Sequence, residues 1–169
     1  MRRGAIFDDT GCYRYWLWRT WNTALPRVAF VMLNPSTADQ YRDDSTIRRC
    51  IGFADRWGYG SLVVVNLFAY RTPSPVHLAR APRPVGPAND RYLGKARRRC
   101  RDIVLAWGNH GSLHQRDRQV LDLLGRRRQR RLLCLGTTAQ GHPRHPLYLP
   151  GNKKPIVFTA DETPLPGAE

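Results

Sequence analysis

The sequence predicts an α/β fold, a three-layer sandwich around a four-stranded, mostly parallel sheet, with a β-hairpin at the amino terminus. Three observations carry this. Four short apolar runs, residues 27–33, 61–68, 102–107 and 132–135, show no polar alternation, as strands buried on both faces do. Segments with helical spacing separate them, so successive core strands are βαβ units with right-handed crossovers. Each run also stops abruptly at turn chemistry, for example Asn34-Pro35-Ser36-Thr37 and Gly108-Asn109-His110-Gly111. Loops after all four strands are therefore expected to gather at one sheet edge, where α/β folds place ligands.

The elements follow in order. Ala5 to Phe7 and Cys12 to Arg19 flank a polar Asp8-Asp9-Thr10-Gly11 turn and read as a hairpin over residues 1–22, an appendage to the domain. In CYRYWLWR, Arg14, Trp16 and Trp18 share one face by strict alternation, a surface that can stack bases or simply pack. After the first core strand, Asp44 or Ser45 caps a helix whose Ile47, Cys50, Ile51 and Ala54 form the buried stripe. Residues 72–87 hold Pro73, Pro75, Pro82, Pro84 and Pro87 and read as a stiff irregular loop. Helices over 88–99 and 113–126 bracket the third strand. A last short strand falls within 153–159, and the Pro-rich, acidic residues 160–169 are expected to be a flexible tail.

At 169 residues the chain fits one domain, and 41% hydrophobic residues exclude a disordered chain. Its 28 Lys plus Arg against 13 Asp plus Glu give a formal charge of +15 and a pI ≈ 10.8. That excess suits a polyanionic partner, nucleic acid above all, although arginine can also serve as a plain solvated cation. The run Arg126, Arg127, Arg128, Arg130 and Arg131 fits a phosphate contact or a favourable helix carboxyl end equally well. Cys12, Cys50, Cys100 and Cys134 are widely spaced, with neither Cys-x-x-Cys nor His at ligand spacing, so no metal and no cofactor is expected. No apolar stretch of membrane-spanning length and no signal-peptide apolar region is present in the sequence. A cytoplasmic, nucleoid-associated monomer with DNA as its partner and no membrane contact is the expectation.

The order of features carries a resemblance. Leu33-Asn34-Pro35-Ser36, Val65-Asn66-Leu67-Phe68 with Arg71 and prolines after it, Ile103 to Gly108, Leu133 to Gly136 and finally His145-Pro146-Leu147 resembles the uracil-DNA glycosylase superfamily. More closely, residues 5–150 resemble an uncharacterised family of small bacterial and phage domains that share Leu-Asn-Pro-Ser-Thr-Ala-Asp, Asn-Leu-Phe-Ala and Arg-His-Pro-Leu-Tyr. The glycosylase resemblance implies a uracil-DNA-glycosylase-like fold and assigns roles by motif position. Asn34 stands where the attacking water is held, with Pro35 and Ser36 lining that loop. Asn66 stands where the pyrimidine edge is read, its amide suiting a uracil-like O4 and N3–H, with Phe68 beside it. His145 stands where charge on the departing base is stabilised, with Arg144, Pro146 and Tyr148 shaping the loop. Arg48, Arg49 and Arg71 join the basic run as DNA contacts.

Departures from the pattern qualify the chemistry. His-Pro-Leu-Tyr replaces the usual His-Pro-Ser, which removes a serine contact to DNA, and Leu33 precedes Asn34 without a nearby glycine. Four cluster-forming cysteines are missing, so no iron–sulfur centre is implied. No motif lysine is present, so a Schiff-base lyase step is not implied either. Asp39, Asp43 and Asp44 follow the water-holding loop, three of the few acids in a basic chain. One of them can serve as a general base; the alternative is a helix cap with surface pairing to Arg42 or Arg48. The expected function is a monofunctional DNA glycosylase that hydrolyses the bond to uracil or, better, a modified pyrimidine. The alternatives are a nucleic-acid-binding module without catalysis and an enzyme acting on free nucleosides or nucleotides.

Overall fold

The computed structural model describes residues 1–125 and 131–160. Its strands are Arg2–Phe7 (β1), Arg14–Thr20 (β2), Arg27–Met32 (β3), Ser61–Asn66 (β4), Asp102–Leu105 (β5), Leu132–Cys134 (β6) and Ile156–Val157 (β7). The helices are Ser45–Arg56 (α1), Pro75–Arg80 (α2), Asn89–Arg99 (α3) and Arg116–Gly125 (α4). One mixed sheet runs in the order β1-β2-β4-β3-β5-β6-β7.

The α/β class and the parallel centre match the expectation, since β4, β3, β5 and β6 are mutually parallel neighbours. The sheet is nonetheless larger than four strands. The hairpin is part of it: β2 lies antiparallel on β4 from Leu17 opposite Val64 to Thr20 opposite Ser61, and β7 covers the other side of β6. Both additions shield parallel strand edges that would otherwise expose unpaired backbone groups.

Burial on two faces explains the unbroken apolar runs. Val31, Val63, Val65, Ile103 and Leu105 pack against Leu93 and Ala96 of α3 and Val120 and Leu124 of α4. Val28, Phe30, Leu62, Val64 and Val104 pack against Ile47, Cys50 and Phe53 of α1. These are the three layers. The proline-rich loop contains one helix that its composition hid: Ser74 accepts from the His77 N–H and Pro75 opens α2, a good combination because proline lacks a donor that would be unpaired there anyway. The helix expected from residue 113 starts later, because Asn109–Gln115 form a kinked 3-10 segment with His114 and Gln115 at positive φ.

The hairpin departs from simple alternation. Ile6 lies opposite Trp16 but Phe7 lies opposite Arg14, so Tyr15 is an extra residue, a β-bulge. Tyr15 and Trp16 both pack on Tyr92 of α3 and are buried, so the strand does not present the base-stacking face that alternation suggested. Arg14 is moved to the face of Leu17 and Arg19, over residues 38–43.

Arg19 is fully buried and ties this loop to the sheet. It donates through Nε to the Asp43 carboxylate at 2.7 Å, and through its other nitrogens to the Trp18 and Asp39 carbonyls. Removing one member of a buried ion pair strands the other charge in a low-dielectric site. Asp43→Ala should therefore lose about 3 kcal/mol of unfolding free energy, measured by denaturant unfolding at neutral pH, whereas truncation of a solvated aspartate such as Asp9 should lose almost nothing.

Candidate functional site

The order β4-β3-β5-β6 contains a reversal: the chain leaves β3 to build β4 on one side, then crosses to build β5 on the other. Outside the carboxyl ends of β3 and β5 the following loops diverge, and such switch points are where open α/β sheets hold ligands. A cleft of about 430 Å³ lies there. Its wall takes Asn34 and Ser36 from the loop after β3, Asn66 from the end of β4, Asn109 and His110 from the loop after β5, and His145 from the segment beyond β6. Gly108, at φ +74°, turns the chain out of β5 into this wall. The gathering of loops expected from the sequence is thus present, and Asn34, Asn66 and His145 share one cavity.

Asn34 is half-buried, and its side-chain nitrogen is occupied. Nδ2 donates to the Pro35, Tyr70 and Thr72 carbonyls, the last at 2.7 Å, which staples the loop after β3 to the loop after β4. Buried Pro35 adds to this by accepting from the Thr72 N–H. The Oδ1 atom receives no hydrogen bond from the described residues, leaving an acceptor on the cleft wall.

Asn66 is only 2% exposed, and its Oδ1 has no hydrogen-bond partner. A buried amide left unpaired by its own protein costs about 1–3 kcal/mol, and here it lies at a cavity that a ligand can enter. The strand end that carries it is fixed from behind. Buried Asn89, at the start of α3, donates Nδ2 to the Asn66 and Leu67 carbonyls at 2.9 and 3.0 Å. Buried Arg116, at the start of α4, donates Nε to the Leu67 carbonyl and pairs with Asp90.

His145 accepts the Leu147 N–H through Nδ1 at 3.2 Å. A ring nitrogen that accepts must be unprotonated, so the proton of the neutral ring is on Nε2. Burial holds the His145 pKa below its ordinary value, with Asp44 acting the other way. The residue is a neutral N–H donor at neutral pH.

The three aspartates separate. Asp44 lines the cleft while its Oδ1 caps α1 by accepting from the Ile47 N–H at 2.9 Å. Asp43 is taken by Arg19, and Asp39 accepts from the Tyr41 and Arg42 N–H groups, bonds that lower its pKa. Neither lines the cleft, so the expectation of a general base at Asp39 or Asp43 is corrected: both organise the loop.

Other expected residues lie elsewhere. Phe68 is wholly buried in the core beside Leu67 and does not reach the cleft, and Pro146 is buried under its loop. Arg144 and Tyr148 line an adjoining open groove that shares His145, with Tyr148 92% exposed at φ +68°. Arg48 donates to the Asp43 carbonyl, Arg49 stacks on Phe53, and Arg71 stacks on Phe7 while donating to the Gly11 carbonyl. Arg131 is exposed; Arg126, Arg127, Arg128 and Arg130 lie outside the described residues.

Arg14, Asn89 and Arg116 escaped the sequence reading as site contributors, as did Asn109, which reads there only as turn chemistry. Arg14 lines the cleft because of the bulge, which no local signal announces. Asn89 read only as a helix start, and Arg116 was one arginine among many. Among the described residues no group of three His, Cys, Asp or Glu side chains is placed to hold a metal ion, and no helix is long and apolar enough to cross a membrane.

Two outcomes follow from this geometry. Asn89→Ala should lose about 2 kcal/mol of stability in denaturant unfolding, because it removes one donor from each of two buried carbonyls, of which Leu67 keeps the Arg116 Nε bond. His145 gives a pH dependence. Its folded pKa lies below the ordinary value, so its contribution is intact above about pH 6.5 and is lost as pH falls through that value towards the lowered one. The melting temperature of the wild type should consequently fall more between neutral pH and about pH 5 than that of His145→Gln, read by thermal unfolding.

Comparison with known proteins gives a family. No curated protein and no solved structure matches the chain. A family described as "Protein of unknown function (DUF1643)" matches residues 14–147. That span opens on Arg14 of the cleft wall and closes just past His145, and covers most of the 169 residues, so the chain belongs to the DUF1643 family.

Proposed function

We propose that this protein is a monofunctional DNA glycosylase of uracil-DNA-glycosylase-like fold, which takes uracil or a modified pyrimidine into the cleft and hydrolyses its N-glycosidic bond. The observation that supports it best is the meeting of Asn34, Asn66 and His145 in one cavity at the switch point of a parallel sheet. The volume falls in the range of small-ligand pockets, roughly 300–1,000 Å³, and the net charge of +15 favours approach to DNA.

The chemistry divides among the three residues. Asn66 offers an amide donor and acceptor to the pyrimidine edge. The Asn34 Oδ1 accepts a hydrogen bond from water and aims it at the sugar carbon. An amide is too weak a base to take the water's proton early, so the bond to the base breaks first and an oxocarbenium-like sugar develops. The electron pair of that bond leaves with the base, and the His145 Nε2–H stabilises the oxygen on which the charge collects. Asp44 supplies a negative charge near the developing cation and is the cleft carboxylate to which the water's proton can finally pass.

A second reading, an enzyme acting on free nucleotides, draws support from the buried cation of Arg14 inside the cleft. Incubation with duplexes and phage genomic DNAs carrying different modified pyrimidines, scored for abasic sites, separates the readings. Wild type should release base from at least one DNA, Asn34→Ala and His145→Ala should each slow release by about 10²-fold or more, and Asp39→Asn should leave the rate unchanged. Base release from free nucleotides alone supports the second reading. Salt-sensitive DNA binding without any release, or variants as fast as wild type, overturns the hydrolytic one.

A further inference from the structure

Arg14 is a buried charge with no counter-ion paired to it among the described residues. It is 3% exposed, and its single side-chain hydrogen bond runs from one terminal nitrogen to the Ala38 carbonyl at 2.8 Å. The Nε atom is buried with no partner. Burial lowers its pKa to about 10, so the guanidinium remains charged at neutral pH. The contrast with Arg19, five residues on along the same strand, is instructive: that buried guanidinium has a carboxylate and several carbonyls to satisfy it.

A buried cation without a counter-ion is unfavourable unless something supplies one. Two features indicate that the supply is external. The bulge at Tyr15 turns Arg14 away from the α3 side of the sheet, and bulges serve elsewhere to re-aim a side chain at a functional site. The side chain also lines the cleft, together with Asn66 and Trp107, whose Oδ1 and Nε1 are likewise buried there without a hydrogen-bond partner among the described residues. The nearby charges act on it without forming an ion pair, Asp44 on the same cleft wall foremost. Asp44 and Asp39 act favourably and Arg71 and Arg19 unfavourably, while the Asp39 carboxylate is held by two backbone N–H groups and Asp44 by the start of α1.

We propose that Arg14 is the oxyanion receptor of the cleft: the ligand carries a phosphate or carboxylate group that pairs with its guanidinium beside the edge read by Asn66 and His145. A planar guanidinium with free donors matches such groups in a paired geometry. This rests on the cleft being the ligand site of the proposed function and narrows the substrate to one with an anionic group on the base or on the sugar.

Equilibrium binding to the whole protein tests it without reference to hydrolysis. Two matched pairs serve as probes: uracil-5-carboxylate against thymine, and uridine 5′-monophosphate against uridine. At least one anion should bind about tenfold or more tightly than its neutral partner. Arg14→Gln should abolish that preference while holding the neutral partner's affinity within about threefold, and Arg14→Lys should restore part of it. Which pair shows the preference reports whether the oxyanion is on the base or the sugar. Equal affinity within both pairs, no measurable binding of either anion, or a preference that survives Arg14→Gln overturns the proposal. Abasic-site formation with unchanged Arg14→Gln kinetics would likewise remove Arg14 from substrate recognition while leaving the glycosylase reading intact.

Discussion

Four parallel strands buried on both faces leave almost nowhere for a polar side chain except the strand ends, and the rest of the molecule follows from that constraint. The interiors of β3, β4 and β5 are aliphatic or aromatic because each side chain meets either α1 or the α3–α4 layer. Asn34 and Asn66 therefore stand where two strands run out, at the same edge, and the loop carrying His145 closes over them. The cleft is the place at which a double-sided core must stop, and its polar groups collect there against the last apolar side chains of that core, among them Met32, Ile47 and Val64.

The two arginines of β2 show how a basic chain uses cations internally. Arg19 and Arg14 both enter the loop between β3 and α1, and both donate to its carbonyls. One brings its own counter-ion in Asp43; the other does not. The first anchors the wall of the cleft, and the second gives that wall a charge. Part of the +15 is consequently structural, as are Arg48, Arg49 and Arg71, whose guanidinium groups lie on carbonyls or aromatic rings of the same chain. Net charge alone overstates the surface offered to DNA, because a guanidinium engaged in this way has fewer donors left for phosphate.

The parts of the fold that were legible in the sequence are those governed by local periodicity. The apolar runs located β3 to β6, the cap at Asp44 and the stripe through Ile47 and Cys50 located α1, and the turn residues located the edge at which the loops meet. The hairpin's place in the sheet was not legible, because strand pairing is a long-range choice and CYRYWLWR is apolar enough to suit several partners. The bulge was hidden for the same reason: it is visible only as Phe7 facing Arg14 while Ile6 faces Trp16. Of the candidate site, the residues set by motif order met in one cavity, whereas Phe68, Asp39 and Asp43 did not line it. Phe68 continues the buried strand beyond Asn66, and the two aspartates satisfy backbone and arginine donors that a string of residues does not reveal.

Asn34 shows why structural and chemical readings of a residue need not compete. Its Nδ2 group is fixed by three carbonyl oxygens, so the loop demands a donor at that position. An aspartate there would set a carboxylate against those same carbonyls, and the staple between the loops after β3 and β4 would be lost. The position thus excludes the better general base on structural grounds and leaves an amide oxygen, rigidly held, as the acceptor. The hydrolysis proposed for this cleft would draw its barrier reduction from stabilising the leaving group and the sugar cation, and the groups suited to that work, the neutral donor of His145 and the negative charge of Asp44, share the cavity.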